Sequence, residues 1–383
     1  MANKSRPKKT RGVFYKKYVY GAAAQPIEGE DDDFGDNWED DEDWSIQNID
    51  NKKKLVKSKN RCVSASSRPR QVAAANEDDV DDCEPDDFVP KNLKLLLKKK
   101  FQNMIKCLDL SRVVQSGKNS YMSKLLRRTS NSLEVFISSQ SSFGAAPLVS
   151  IKSCLRLKVL DLRLVSESVN LAELFKSIQC LPELEQLCFP RSSVTCDEFD
   201  FQWPQKLWYL RLQGGITDFF AANVRFPETI TCLEFAHCSH LTRTGLDDIL
   251  SHIGINLTRL SITYPMPKIG DDGADRSFWF CPNLKSFFVD IAYISWELFS
   301  EELLVVLKEY DRPLRSMTIE STGYMGMCEK LSPNDITIAV DEERLPCFER
   351  LGLSAMLGWD FKSDDMNDMI SELDHHNIEV FKI

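Results

Sequence analysis

The chain has 383 residues, 43% of them hydrophobic and 28% charged, with a formal net charge of −10. That is globular composition, with material for one large domain or two small ones. It has no overall basic excess, which argues against duplex nucleic acid as a partner, and no apolar run approaching the ~20 residues of a membrane span.

The N-terminus, MANKSRPKKTRGVFYKKYVYG, is basic but lacks an apolar core of signal-peptide length. The expectation is a soluble chain in the cytoplasm, the nucleus or both. Most of the twelve cysteines sit in apolar segments, among them Cys107, Cys154, Cys188, Cys232 and Cys347. There they act as small hydrophobes in a reducing compartment. No Cys-x-x-Cys pair occurs, so neither a zinc ribbon nor a thioredoxin-type motif is available.

Residues 1–88 read as a disordered charged tail. Basic residues Lys4, Arg6, Lys8, Lys9 and Arg11 give way to EGEDDDFGDNWEDDEDW, then NKKKLVKSKNR, then EDDVDDCEPDD. Such blocks cannot bury enough apolar surface to offset the entropy of ordering. Either they solubilise the chain, or the basic cluster is a nuclear address and the acidic strip a docking strip. Trp38 and Trp44 inside the acidic block are unusual in a purely solvating tail and suit anchors. After Pro90, NLKLLLKKKFQ predicts a short basic helix over 92–102, and residues 89–104 read as an N-terminal cap on the domain beginning at residue 105.

From residue 105 onward one pattern recurs. Leu-x-x-Leu-x-Leu, with other large apolar residues allowed, fits IKCLDL, LKVLDL, LEQLCF, LWYLRL, ITCLEF, LTRLSI, LKSFFV, LRSMTI, FERLGL and IEVFKI, and in part LEVFIS. The central apolar residues fall at 108, 136, 160, 187, 210, 233, 260, 287, 317, 351 and 381, with gaps of 23 to 34 residues. Most of these lie in or near the ~20–29-residue period of leucine-rich repeats. Alternate side chains of a strand face opposite ways, so Leu210 and Leu212 point inward while Tyr209, Arg211 and Gln213 point outward. No single unit can bury its own apolar face, so neighbours stack and share a core. The predicted fold is α/β: a solenoid over 105–383 with a parallel concave sheet and convex helices. Apolar spacing places helices at 171–178, 244–253 and 300–310. Pro182, Pro204, Pro227, Pro282, Pro313 and Pro346 stand just before strands, where proline ends a helix without breaking a ladder.

LEFAHCSHLTRTGL, at 233–246, brings His237, Cys238 and His240 close together in sequence. Neighbours in extended chain point apart, so these three converge poorly on one ion, and no metal site or Cys–His nucleophile pair is expected. The segment resembles the cysteine-containing leucine-rich repeat, Leu-x-x-Leu-x-Leu-x-x-Cys-x-x-Leu-Thr-x-x-Gly-Leu. That resemblance implies that Cys238 fills a small buried slot, sharing a weak hydrogen bond with backbone, and that His237 and His240 lie on the outer loop.

The strand approach CPNLKSFFV is typical of F-box leucine-rich-repeat proteins, and the chain resembles a fungal member. The resemblance rests on MANKSRPKK, VQSGKNSYMSKLLRR, FPRSSV, WPQKLWYLRLQGGIT, EYDRPLRS and LGWDFKSDD. It covers the first nine residues and most of 103–370. It implies a substrate-recognition subunit of a cullin–RING ubiquitin ligase of the SCF type, acting in ubiquitin-dependent protein catabolism, with no catalytic residues and no cofactor of its own. The chain departs from the family at the F-box. Phe88 to Met104 is a span of only 17 residues, room for one helix of ~25 Å and not for a three-helix module. The partners implied are a protein substrate and, where an F-box is present, the F-box adaptor and cullin; nucleic acid and membrane are not among them. The alternative is a stand-alone repeat scaffold or competitor that does not dock the ligase. An enzyme is disfavoured, because no phosphate loop, metal-ligand spacing or nucleophile–base pair stands out. On outward strand positions, Asp161, Arg163, Tyr209, Arg211, Arg259, Phe288, Asp290 and Glu320 are the candidate substrate contacts, aromatic and arginine side chains being suited to hot spots.

Overall fold

The computed structural model describes residues 104–113, 120–140, 143–195, 199–308, 313–323 and 330–383. The chain divides into Met1–Val80 and Asp81–Ile383, and every described residue belongs to the second unit. The tail expected over 1–88 and, apart from Met104, the helix and cap expected over 89–104 lie outside the described residues.

The described residues form an α/β fold around one parallel sheet. In chain order its thirteen strands are β1 (Cys107–Asp109), β2 (Val135–Ile137), β3 (Val159–Asp161), β4 (Val169–Asn170), β5 (Gln186–Cys188), β6 (Ser193–Val194), β7 (Tyr209–Leu212), β8 (Cys232–Ala236), β9 (Arg259–Thr263), β10 (Ser286–Asp290), β11 (Ser316–Glu320), β12 (Arg350–Leu353) and β13 (Glu379–Lys382). Eleven of them make the main sheet, each paired in parallel with the next in sequence, while β4 and β6 form a separate two-stranded pair. Every fragment that fits the apolar template contributes one strand of the main sheet.

The register shows why. Leu108, Phe136, Leu160, Leu187, Leu210, Leu233, Leu260, Phe287, Met317 and Leu351 lie in one continuous row across ten strands. The row belongs to a single hydrophobic cluster that also holds buried residues of the connecting helices, such as Leu174, Ile249 and Met369. The eleventh member is a correction. Val380, and not Phe381, pairs with Leu351. Ile378 and Val380 pack against the core, and Phe381 crosses the opposite face above Gly352. A Cβ at Gly352 would come within 2.7 Å of that ring, so the glycine makes room for it. IEVFKI satisfies the template in two frames, and burial selects the frame that the leucine spacing did not.

The connections carry helices at Ser120–Thr129, Ala145–Ile151, Leu171–Ile178, Asp218–Asn223, Arg243–Ile253, Ser277–Phe280, Glu301–Lys308, Pro333–Asp341 and Asp364–His375. Three were legible from apolar spacing. Their starts are fixed locally, as short polar side chains satisfy the free N–H groups of a first turn. The Asn170 side chain accepts from Ala172 N at 2.9 Å, and the Ser363 hydroxyl accepts from Met366 N at 3.3 Å. Asp218 links two consecutive connections, accepting from Thr242 N and Thr242 Oγ1, both at 2.8 Å. A Cβ at Gly245 would meet the Asp218 carboxylate at 2.3 Å. The Thr-x-x-Gly of the 233–246 segment therefore serves this link.

The β5–β7 connection is different. Its described residues include no helix; an aromatic cluster takes that place. Phe201 stacks on Phe175 with centroids 3.8 Å apart, Trp203 lies 5.0 Å from Phe201, and Phe226 lies 5.6 Å from Trp203.

Candidate functional site

The His237–Cys238–His240 segment plays a structural part. Cys238 is fully buried and its Sγ donates to Leu212 O at 3.4 Å. Burial pushes its thiol up to about 12, which removes it as a nucleophile near neutrality. His237 is half-buried with φ 53°, and its pKa is lowered by burial, then by Arg191 and Arg211. His240 is exposed. Among the described residues, only Asp341, Glu372 and His376 bring three ligand-type atoms within 4.8 Å of one another. His376 Nε2 lies 3.7 Å from both carboxylates, a surface ion-pair arrangement between the last two helices.

Two regions remain. One is a recess of about 500 Å³ lined by Arg243, Asp275, Arg276, Trp296 and Glu301 among others. Its cations are already engaged, Arg243 by Asp272 and Arg276 by Asp247. Asp275 is buried and accepts from Ser295 N at 2.9 Å and Ser295 Oγ at 2.6 Å. Burial raises its carboxyl from 3.8 to about 6. A raised acid pKa means that the folded state binds the proton more tightly than the unfolded state, so this group makes folding less favourable as pH rises from about 4 to 6. Asp275→Asn is expected to gain stability relative to the native chain across that window and to hold a constant advantage above it. Urea unfolding of both proteins at pH 4, 5, 6 and 7.5 measures this; a difference independent of pH would refute it.

The other region is the face of the sheet opposite the leucine row, where the eight candidate residues lie. Their fates divide. Asp161 and Asp290 are buried, a correction to their assignment as contacts. Asp161 Oδ1 accepts from Arg163 N at 3.0 Å and closes the turn after β3, while Arg163 Nε and Nη2 donate to the same carboxylate at 2.7 to 3.0 Å. Asp290 Oδ1 accepts from Ala292 N at 2.9 Å and caps the 3-10 turn after β10. Gln213, expected outward, is also buried, and its amide donates to Phe189 O. Asp161 and Asp290 are the last residues of their strands and Gln213 is the first residue past β7, so each borders a turn, where backbone satisfaction decides its burial.

The remaining six reach the surface. Arg163 keeps 47% of its side chain exposed, and Arg259 is exposed with no ion pair among the described residues. Tyr209, Arg211, Phe288 and Glu320 are half-buried. The sheet brings Tyr209 and Arg211 together with Glu234, which the sequence reading missed although it holds an alternating outward position in β8. Arg211 Nη1 donates to Glu234 Oε2 at 2.8 Å. The Tyr209 phenol is pushed well above its usual range by burial, with Cys188 and Glu234 adding to the shift. Arg211 Nε is buried without a hydrogen-bond partner, and such orphan donors are rare enough in folded proteins to need a reason. Glu320 stands directly opposite Asp290 in register, two strands beyond Arg259. The Asp290 carboxyl is raised first by burial, and Glu320 is among the causes.

The fold is a parallel ladder that displays aromatic and charged side chains along one face, and the chain belongs to a family of fungal F-box proteins. It is 47% identical over 275 residues to F-box protein YDR306C of Saccharomyces cerevisiae, a match covering 72% of this chain and 58% of that protein. It is 31% identical over 292 residues to Protein pof5 of Schizosaccharomyces pombe, covering 76% of this chain and 82% of that one. The chain thus spans less than two thirds of the Saccharomyces cerevisiae relative it matches. No protein-family model matches the chain.

Proposed function

We propose that the chain is the partner-recognition subunit of an SCF-type ubiquitin ligase. On this reading its eleven strand units form a leucine-rich-repeat solenoid, and the face bearing Tyr209, Arg211, Phe288 and Glu320 is the concave surface that holds a protein substrate. The observation that carries the reading is the ladder itself. Its buried row is apolar throughout, while the opposite face displays arginine, tyrosine, phenylalanine and carboxylate on strands held in fixed register. Residues of these types on a rigid support lose little entropy on binding and make hot spots. Ubiquitin transfer belongs to the partner enzymes, the chain supplies binding alone, and the setting is the cytoplasm or nucleus. The name of the Saccharomyces cerevisiae relative supports the ligase assignment. A second reading, a scaffold that binds a protein without docking the ligase, is favoured by the short span between Phe88 and Met104.

Co-expression of the full chain with the F-box adaptor and cullin separates the two. Stoichiometric co-elution on size exclusion is the result expected of a ligase subunit. Elution apart from both, with the chain folded by circular dichroism, would overturn that reading in favour of the scaffold.

A further inference from the structure

The outward face is electrically divided. Arg163, Arg191, Arg211 and Arg259 lie on or beside β3, β5, β7 and β9. Asp161 and Glu234 are the carboxylates that pair with this group, with Arg163 and Arg211 respectively. Arg191 and Arg259 are exposed and make no ion pair among the described residues. Farther along the sheet, Glu320 on β11 is a half-buried carboxylate beside the buried Asp290, while the exposed Arg350 of β12 is already paired with Glu379. Asp290 and Glu320 face each other across β10 and β11, and neither is joined to a cation among the described residues. Like charges directly opposite on neighbouring strands are destabilising. An intramolecular role explains the Asp290 carboxylate, which caps a turn, but leaves Glu320 without one. Between the two regions, Ser261 and Phe288 occupy the same outward row as Arg211 and Glu234.

We propose that this face takes an extended protein segment carrying an acidic residue and a basic residue about six positions apart, with the acidic one over the arginines and the basic one against Glu320. The inference rests on the reading that this face binds a protein, and it adds the chemistry of the segment. The spacing is set by the ladder. Four strand steps separate Arg211 on β7 from Glu320 on β11. At roughly 4.8 Å per step they span about 19 Å, which extended chain covers in about six residues at roughly 3.3 Å each. An apolar side chain midway along the segment meets Phe288. Arg211, already held by Glu234, lies within the positive region, and complementary charge fixes which way round the segment lies.

The test uses the full chain and a display library of random twelve-residue peptides, panned at low salt with a chelator present. Enriched peptides are expected to pair Asp or Glu with Lys or Arg at about that spacing. Affinity for a synthesised winner is expected to fall at least tenfold on Arg191→Glu with Arg259→Glu, and also on Glu320→Lys. Swapping the acidic peptide residue for lysine restores binding to the first variant, and swapping the basic one for glutamate restores it to the second. Winners without the charge pattern, or indifferent to the swaps yet lost on Tyr209→Ala, would overturn this inference and leave the partner-binding reading standing. A library that enriches nothing, or winners unaffected by Tyr209→Ala and Phe288→Ala, would remove both. Each variant's melting curve confirms that it is folded.

Discussion

Leu233→Ala is expected to lower the unfolding free energy by about 2–5 kcal/mol, the range for deleting a buried leucine side chain and leaving a cavity behind. Leu233 is fully buried at the centre of the row, with Leu210 on one side and Leu260 on the other. Because neighbouring units share one interior, the cavity removes contacts from three strands at once. Ser261→Ala, on the outward face of β9, is expected to change stability by no more than about 0.5 kcal/mol. Chemical unfolding of the two variants measures the contrast. Equal effects would show that the row is not the core.

Phe175→Ala is expected to be as damaging or more so, at about 3–5 kcal/mol. The ring is 2% exposed and meets Phe189, Phe201, Trp203 and Phe220 with centroids 3.8 to 6.1 Å away. Aromatic pairs in tilted or offset arrangements add about 0.5–1.5 kcal/mol beyond area burial. Among the described residues this cluster stands where other units have a helix, and past β6 the segment from Phe199 to Trp203 rests chiefly on ring packing. Loss on that scale lowers the melting temperature by roughly 10 °C in a domain of this size. Trp203, 5.9 Å from Phe175, is a local reporter. Its emission is expected to shift to the red in the variant even at temperatures where far-ultraviolet dichroism stays native. An unshifted emission would show that the cluster does not depend on Phe175.

The strands were legible because burial on one face forces a period of two, and the leucines recur at a spacing that only stacking explains. Ten of the central residues hold the expected register for that reason. Where an apolar residue occupied both frames, as in IEVFKI, the alternation could not choose, and Phe381 was placed on the wrong face. Turn residues were harder. Asp161, Asp290 and Gln213 look like surface polar groups by alternation, yet each is drawn inward by a backbone group needing a partner. The aromatic cluster of Phe175, Phe201, Trp203 and Phe226 was invisible because its contacts join residues far apart in sequence with no common period. Of the candidate site, the arginines and Tyr209 could be named from the sequence. The partnership of Arg211 with Glu234, and the opposition of Asp290 and Glu320, depend on which residues face each other across strands, and only the register supplies that.

In the main sheet each strand pairs only with its sequence neighbours, so a perturbation has no shortcut from one end to the other. Native-state hydrogen exchange reads this directly: opening energies are set locally, and coupling between units decays with every interface crossed. A weakened contact between β2 and β3 will speed amide exchange there while β11 and β12 keep their protection. A bound segment that bridges β7 to β11 will make amides across that span slow down together.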